Sequence, residues 1–193
     1  GFSEQRRSCG PPLGISVLHN VFVSPKGAII TERGNVIKES CFPYHGRGVE
    51  SAFSDDFSFA KDEIIFNPTN VTVEKDQLYF MREHGENGFF HWMHSVWPRL
   101  MLLEGAVPAF DHKILCSIKA RFQRESLQLS GTPLEKVRAV NQGEWVLARE
   151  LVFPKPFVEL GDFWARPPQI LKFFDSISLP PQPDRSRIFI SRS

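Results

Sequence analysis

The chain has 193 residues, of which 41% are hydrophobic and 23% charged, a composition typical of a globular protein with one full domain and a packed core. Its 23 basic residues balance 22 acidic ones to give a net charge of +1, so the overall charge favours neither a nucleic acid nor an anionic membrane as a partner. The longest apolar run, VWPRLMLL, is far shorter than the about 20 residues that a membrane-spanning helix needs.

The cysteines and aromatic residues are the first features that bear on chemistry. Cys9, Cys41 and Cys116 are scattered, and they lack the CxxC or Cys/His spacing of a structural zinc site. This pattern of cysteines favours a reducing compartment, and the sequence leaves open whether Cys9 and Cys41 form a disulfide bond. The 18 Phe and 4 Trp residues indicate either a thick core or a cleft walled by rings that stack on sugars or bases.

The first 80 residues form a predicted β-rich portion. Three short apolar stretches, separated by turn residues, predict an antiparallel meander. They cover residues 15–24, 27–32 and 36–40. Residues 42–62 lack periodicity and are predicted to be loop, and two further extended segments, 64–70 and 71–81, complete this portion.

Residues 81–193 are predicted to alternate strands with helices. Helices are expected over about 88–104, 120–131 and 166–177, and strands over 112–117, 136–140, 144–153 and 187–193. Alternation at this spacing predicts a parallel, Rossmann-like layer. The predicted fold class is therefore α/β, with an antiparallel β meander in a portion 1–80 and a Rossmann-like α/β portion 81–193. Because the chain stops directly after a strand, we expect a further lobe to follow Ser193.

The stretch GENGFFHWMHSVWPRL at 85–100 concentrates polar and aromatic side chains on one predicted helix. One stripe has the spacing of a core face and consists of Phe89, Met93, Val96, Leu100 and Leu103. The other side carries Asn87, His91, His94 and Ser95, with Asn87 placed to cap the start of the helix. Pro98 removes one backbone donor and predicts a kink, beside which Arg99 points away from the stripe.

Two interpretations of these histidines remain open from the helix alone. In the functional one, His91 lines a substrate cleft and acts as a general base, because histidine titrates near neutral pH. In the structural one, both histidines are core or surface residues hydrogen-bonded to neighbouring loops. The HxxH spacing of His91 and His94 suits two ligands of one ion, but no third ligand is indicated, and no metal is expected.

The same helix carries a resemblance to a known family. GENGFFHWMHSVWPRLMLLE resembles the N-Y-F-H-W-L-x-x-x-L-P-R-L-x-L-L signature of the glycosyltransferase 61 family, which includes capsular-polysaccharide biosynthesis proteins of bacteria. The matching positions are Asn87, Phe90, His91, Trp92, Pro98, Arg99, Leu100 and Leu103. Gly88 and Trp97 depart from the signature. Three further segments resemble the family in the expected order. Residues 15–40 resemble its leading strands, and the segment ARFQRESLQLSG resembles its F-Q-x-E-x-L-x-x-L-G helix. The segment RIFISR resembles its R-I-Y-I-S-R strand.

This resemblance implies an inverting transferase with a GT-B-like fold, which moves a sugar from a nucleotide-sugar donor to a glycan acceptor. The chain would be mainly the acceptor-side lobe, inactive without the C-terminal lobe. His91 is the expected base, and Asn87, Ser95 and Arg99 are expected to bind substrate. Arg187 and Arg192 are expected on the donor diphosphate, since guanidinium groups suit phosphate oxygens, although structural ion pairs are the alternative.

The remaining expectations concern cofactors, location and rival functions. No tightly bound cofactor is expected beyond the nucleotide-sugar co-substrate, and no Asp-x-Asp motif supports a donor metal, because Asp55 and Asp56 are adjacent. The expected location is the cytoplasm, either free or peripheral to the inner membrane. The rival functions are a non-catalytic carbohydrate-binding or scaffold domain and a metal-dependent hydrolase built on His91 and His94.

Overall fold

A computed structural model describes residues 14–41, 53–60, 63–100, 102, 112–154 and 174–177. The strands are β1 (Ile15–Val23), β2 (Ile29–Ile30), β3 (Val36–Ile37), β4 (Ser58–Ala60), β5 (Glu63–Ile65), β6 (Val71–Glu74), β7 (Leu78–Met81), β8 (Lys113–Cys116), β9 (Val137–Ala139) and β10 (Trp145–Pro154). The helices are α1 (Phe89–His91), which continues as a π-helical turn (Trp92–Val96) and a 3-10 turn (Trp97–Arg99), and α2 (Arg121–Leu129). Further 3-10 turns lie at Lys38–Ser40 and Leu134–Lys136.

Eight of the strands form one mixed sheet in the order β3-β2-β1-β10-β7-β8-β9, with β6 pairing with β10 beside β7. Strands β1, β2 and β3 are antiparallel, as the meander prediction requires. Strands β6, β7, β8, β9 and β10 pair in parallel, which the alternation of strands and helices predicts for the strands after residue 81 but not for β6 and β7. The described fold is therefore mixed α/β, dominated by strands and with few helices. This sheet contains strands from both predicted portions, while β4 and β5 pair with each other outside it.

Strand β10 joins the two halves of the sheet. It pairs antiparallel with β1 from Ile15↔Pro154 to Val23↔Val146, and in parallel with β6 and β7 on its other side. All four residues of β7 are buried, which is typical of a strand covered on both faces. Because side chains alternate across a strand, Tyr79 and Met81 pack in one core cluster while Leu78 and Phe80 pack in another.

The structure corrects the prediction that 42–62 is loop. Ser58–Ala60 forms strand β4, which pairs antiparallel with β5 in a separate two-stranded sheet. The strand has only three residues, too few for a local pattern to identify it, and its pairing with β5 defines it. Residues 42–52 lie outside the described part of the chain.

The predicted helix over 88–104 is present from Phe89, but its geometry is irregular. The π-helical turn changes the angular step between side chains, so the predicted apolar stripe does not hold along its length. Phe89 is 57% exposed, whereas Trp92 is fully buried and its indole N–H donates to Ser126 Oγ at 2.6 Å. Pro98 lies at the start of the 3-10 turn, so the helix departs from regular α-helical geometry where a kink is predicted. Leu103 lies outside the described residues.

Helix α2 lies within the predicted range 120–131, and its C-terminal end is followed by Gly131 as the sequence predicts. Gly131 has φ +72, a conformation that favours glycine, and its N–H donates to Gln128 O at 3.0 Å. At the other end, Gln123 Oε1 accepts from the N–H of Ala120 at 2.8 Å. Of the predicted helix 166–177, the structure describes 174–177 only, and the predicted strand 187–193 lies outside the described residues.

A network of charged side chains ties β6, β9 and the start of β10 together. Arg138 forms ion pairs with Glu74 and Glu144, and Glu144 Oε2 also accepts from the N–H of Asn141 at 2.8 Å. Burial alone would raise the pKa of Glu144, but hydrogen bonds from Arg138, Asn141 and Thr72 outweigh it and lower that pKa from 4.5 to about 2. The ionised carboxylate is therefore the form that stabilises the fold.

We expect Glu144→Gln to lower the free energy of unfolding by about 2–3 kcal/mol at neutral pH. Because the pKa of Glu144 is depressed in the folded state, the stabilisation is present above about pH 4.5 and is lost as the pH falls towards 2. Urea unfolding at pH 7 and pH 3 measures both effects. Glu125→Gln is the control, since Glu125 pairs with Arg121 at the surface. Equal losses in the two variants at pH 7 would contradict this account.

Candidate functional site

The candidate site lies at the carboxyl ends of the parallel strands β7 and β8, the edge where ligands bind in open α/β sheets. The chain leaves β7 through Arg82, Glu83 and His84, and it leaves β8 through Ser117. A pocket of about 290 Å³ opens beside this edge. Its wall consists of Pro25 and Lys26 from the β1–β2 turn and of residues 82–87.

A buried arginine holds the first acidic residue of the site. Arg99 Nη2 donates to Glu83 Oε2 at 3.0 Å, and Arg99 Nη1 donates to Arg82 O at 2.9 Å. Both partners of this ion pair are almost fully buried, and Tyr79 Oη donates to Arg99 O at 2.6 Å. Burial lowers the pKa of Arg99, and the neighbouring Glu83 carboxylate opposes that effect. Glu83 is thereby fixed in position at the end of β7.

The second oxygen of Glu83 reaches a histidine. His91 Nδ1 lies 3.3 Å from Glu83 Oε1, so a proton on Nδ1 is held by the carboxylate. The imidazole is 17% exposed, and its Cδ2–Nε2 edge lies against Gly85, a residue of the pocket wall. Arg99, Glu83 and His91 therefore form a chain in which a buried guanidinium orients a carboxylate and the carboxylate orients an imidazole.

Gly85 gives His91 the room that this arrangement needs. Its φ is +95, and a Cβ at this position would lie 3.3 Å from His91 Cδ2. We expect Gly85→Ala to cost about 1–2 kcal/mol of stability and also to displace the imidazole from Glu83. Chemical shifts of the His91 ring measure the displacement.

Gly143→Ala is the matched control for this prediction. Gly143 has φ +70, and no atom lies within 4 Å of the Cβ that alanine would add. The control should therefore lose similar stability through backbone strain and leave the His91 signals unchanged. His91 signals that stay unchanged in Gly85→Ala would contradict the proposed contact.

A second buried ion pair stiffens the pocket wall. Arg82 Nε donates to Glu86 Oε1 at 2.8 Å, and Arg82 Nη2 donates to Pro25 O at 2.7 Å. Glu86 Oε2 accepts from the N–H of Glu83 at 3.1 Å, and Gln123 Nε2 donates to Glu86 O at 3.0 Å. Burial raises the pKa of Glu86, which Arg82 opposes. The loop 82–87 is therefore attached to both the β1–β2 turn and helix α2.

The opposite rim of the pocket also carries charge. Lys26 Nζ lies 2.6 Å from Asp55 Oδ2, while Asp56 accepts from Ser24 Oγ at 2.5 Å and from the N–H of Lys26 at 2.9 Å. Burial raises the pKa of Asp56. For His84, burial together with Lys26 and His91 lowers the pKa, so the neutral imidazole is favoured.

The structure places the predicted site residues in different environments. Asn87 lines the pocket, and its Oδ1 accepts from Ser117 Oγ at 3.0 Å. It does not cap the helix, because the N-cap residue is Gly88. Ser95 and Arg99 are buried and are not part of the pocket wall, Arg99 being held in the pair with Glu83. Arg187 and Arg192 lie outside the described residues.

Sequence reasoning missed Arg82, Glu83 and Glu86, which contribute most of the charge at the site. The available signal was the polar run REHGE directly after the fully apolar LYFM. Charged residues immediately after a buried parallel strand are in the usual position for site residues. The other predicted histidine, His94, is buried, and its ring stacks on Phe90 with 4.7 Å between centroids.

The described ranges hold neither a cluster of metal ligands nor a membrane-spanning helix. No group of three or more His, Cys, Asp or Glu side chains in these ranges is arranged to hold a metal ion. No helix of the described part has both the length and the apolar character to cross a membrane.

Cys41 and Cys116 are buried thiols, and burial raises the pKa of Cys41 to about 11.

Comparison of the chain with protein-family models, with curated proteins and with solved structures finds no match. The functional argument therefore depends on the residues and geometry of the site and on the sequence resemblance described above.

Proposed function

We propose that this chain is the acceptor-side lobe of an inverting, GT-B-like glycosyltransferase with a Rossmann-like layer. It would move a sugar from a nucleotide-sugar donor to a glycan acceptor in surface or capsular polysaccharide biosynthesis. The observation that carries the proposal is the chain Arg99–Glu83–His91 at the carboxyl end of β7, in which the Arg99–Glu83 pair is buried, His91 is partly exposed and Glu83 lines a pocket. Two members of this chain, His91 and Arg99, occupy positions of the signature that the sequence resembles.

The chemistry of this arrangement suits a proton-transfer step. An inverting transfer breaks the bond between the anomeric carbon and the diphosphate while an acceptor hydroxyl oxygen attacks that carbon and loses its proton. With Nδ1 held by Glu83, Nε2 of His91 is the atom that takes the proton. The Glu83 carboxylate then stabilises the imidazolium, as the buried aspartate of a catalytic triad does.

The leaving diphosphate needs positive charge elsewhere. The proposal assigns this role to Arg187 and Arg192, because guanidinium groups bind phosphate oxygens through paired hydrogen bonds. Arg99 does not serve this role, since its guanidinium is engaged by Glu83 and by the carbonyl of Arg82. Arg99 and Glu83 are positioning residues that act through His91.

A non-catalytic carbohydrate-binding domain is the second candidate. It is favoured by Phe89, which is 57% exposed and follows the pocket residue Asn87 by two positions in the chain. An aromatic ring in that position suits a sugar whether or not any bond is formed.

An activity screen separates the two functions. The full-length protein is incubated with a panel of nucleotide sugars and oligosaccharide acceptors, and both nucleoside diphosphate release and glycan extension are measured. Extension of an acceptor with inversion at the anomeric carbon supports the proposal. Binding of oligosaccharides with no extension by any donor in the panel would overturn it and favour the binding domain.

A further inference from the structure

Phe89 is the most exposed large apolar side chain in the described part of the chain, at 57%. The sequence places it in the core stripe of the helix, but the structure places it at the surface. It directly follows Asn87 and Gly88, at the end of the pocket wall. An exposed aromatic ring beside a polar pocket is more informative than an isolated apolar residue elsewhere on a surface.

The ring of Phe89 is held by a second ring. Phe89 and Phe122 pack edge to face, with 5.3 Å between centroids and planes inclined by 82°. Phe122 in turn packs against the fully buried Trp92, with 6.5 Å between centroids. The exposed ring is therefore attached through Phe122 to the core. Because the Phe89 side chain is already held, stacking a ligand on it costs little side-chain entropy.

Asn87 supplies a polar side chain two residues before Phe89 in the chain. Asn87 is exposed, and its Oδ1 accepts from Ser117 Oγ at 3.0 Å. That hydrogen bond orients the amide so that its N–H groups are the ones presented to solvent. An exposed aromatic face and a nearby residue in the chain with amide donors together suit a pyranose ring, which has one apolar face and a rim of hydroxyl groups.

The size of the surface argues against a protein partner. A whole phenylalanine side chain buries about 150–250 Å², so the exposed part of Phe89 is on the order of 100 Å². A stable protein–protein interface buries about 800 Å² on each partner. One sugar ring covers an area closer to that of the exposed phenyl ring.

We propose that Phe89 is the stacking platform for a pyranose ring of the glycan acceptor and that Asn87 donates hydrogen bonds to its hydroxyl groups. This inference rests on the proposed function, which it extends by assigning the acceptor subsite. The platform lies at the start of the helix that carries His91, two residues before it in the chain.

The test measures glycan binding to the full-length protein without any donor. Calorimetric titrations use neutral tetrasaccharides of glucose, galactose, mannose and xylose as probes. Phe89→Ala is expected to weaken binding of the preferred probe about tenfold, which corresponds to about 1.4 kcal/mol. Phe89→Trp keeps an aromatic face and should bind within about twofold of the wild type. Leu129→Ala is the control, because Leu129 is also apolar and exposed but lies at the far end of α2.

The outcomes separate this inference from the proposed function. Loss of binding in Phe89→Ala with no transfer by the wild type supports the platform and overturns the transferase proposal. Transfer by the wild type with unchanged acceptor Kd and KM in Phe89→Ala overturns the platform and leaves the transferase proposal standing. A wild-type protein that binds none of the tetrasaccharides also overturns the platform. In an active enzyme, a raised acceptor KM at unchanged kcat supports it.

Discussion

Replacement of His91 by alanine is expected to lower kcat for sugar transfer by about 10²–10⁴-fold, because a positioned general base contributes about that much to a proton-transfer step. The imidazole is oriented by Glu83 at 3.3 Å, so its removal leaves the acceptor hydroxyl without a proton acceptor at this position. Acceptor binding should persist, since Phe89 and Asn87 remain in place. Initial rates at saturating donor and acceptor, together with acceptor Kd, measure the two effects separately.

His94→Ala is the matched control for this loss. His94 lies one turn away on the same helical segment and stacks on Phe90, and the variant removes the same imidazole group. Its kcat should remain within a fewfold of the wild type once folding has been checked by thermal unfolding. Transfer by His91→Ala at the wild-type rate, or an equal loss in both variants, would refute the assignment of the base to His91.

Replacement of Arg99 by methionine is expected to have the largest effect on stability, about 3–5 kcal/mol. Arg99 and Glu83 are both almost fully buried, and removal of one partner leaves the other charge buried without compensation. Methionine is unbranched and apolar, so it fills much of the vacated space without replacing the charge. Denaturant unfolding at neutral pH measures the loss.

Two further variants make this prediction specific. Arg121→Met removes an arginine that is 85% exposed and paired with Glu125, and its cost should be at most about 1 kcal/mol. The double variant Arg99→Met/Glu83→Leu removes both buried charges and should recover most of the stability while remaining inactive, because His91 has lost its orienting carboxylate. If Arg99→Met costs no more than Arg121→Met, the buried pair does not stabilise the fold as described.

The meander and the parallel strands could be predicted from the sequence because their signals are local. Gly27 and Gly34 adopt φ of +95 and +79 in the turns that separate β1, β2 and β3. Apolar runs alternating with a helix at 121–129 indicate parallel pairing without knowledge of any distant contact. The position of β10 between β1 and β7 depends on pairing across more than 60 residues, which no local pattern specifies.

The site was less predictable because its central contacts are not local. His91 and Arg99 could be selected from the helix, but the carboxylate that joins them, Glu83, lies at the end of a strand 16 residues before Arg99. The π-helical turn between the two residues changes which faces they present, and sequence periodicity assumes a uniform helix. For the same reason Phe89 was assigned to the core, whereas it lies at the surface.

We propose that His91, oriented by Glu83, takes the proton of the acceptor hydroxyl. The most direct test is the rate of transfer by His91→Ala in the full-length protein with and without added imidazole. Free imidazole is expected to restore part of the lost activity in His91→Ala and to have no effect on the wild type. A His91→Ala variant that transfers sugar at the wild-type rate without imidazole would contradict the account.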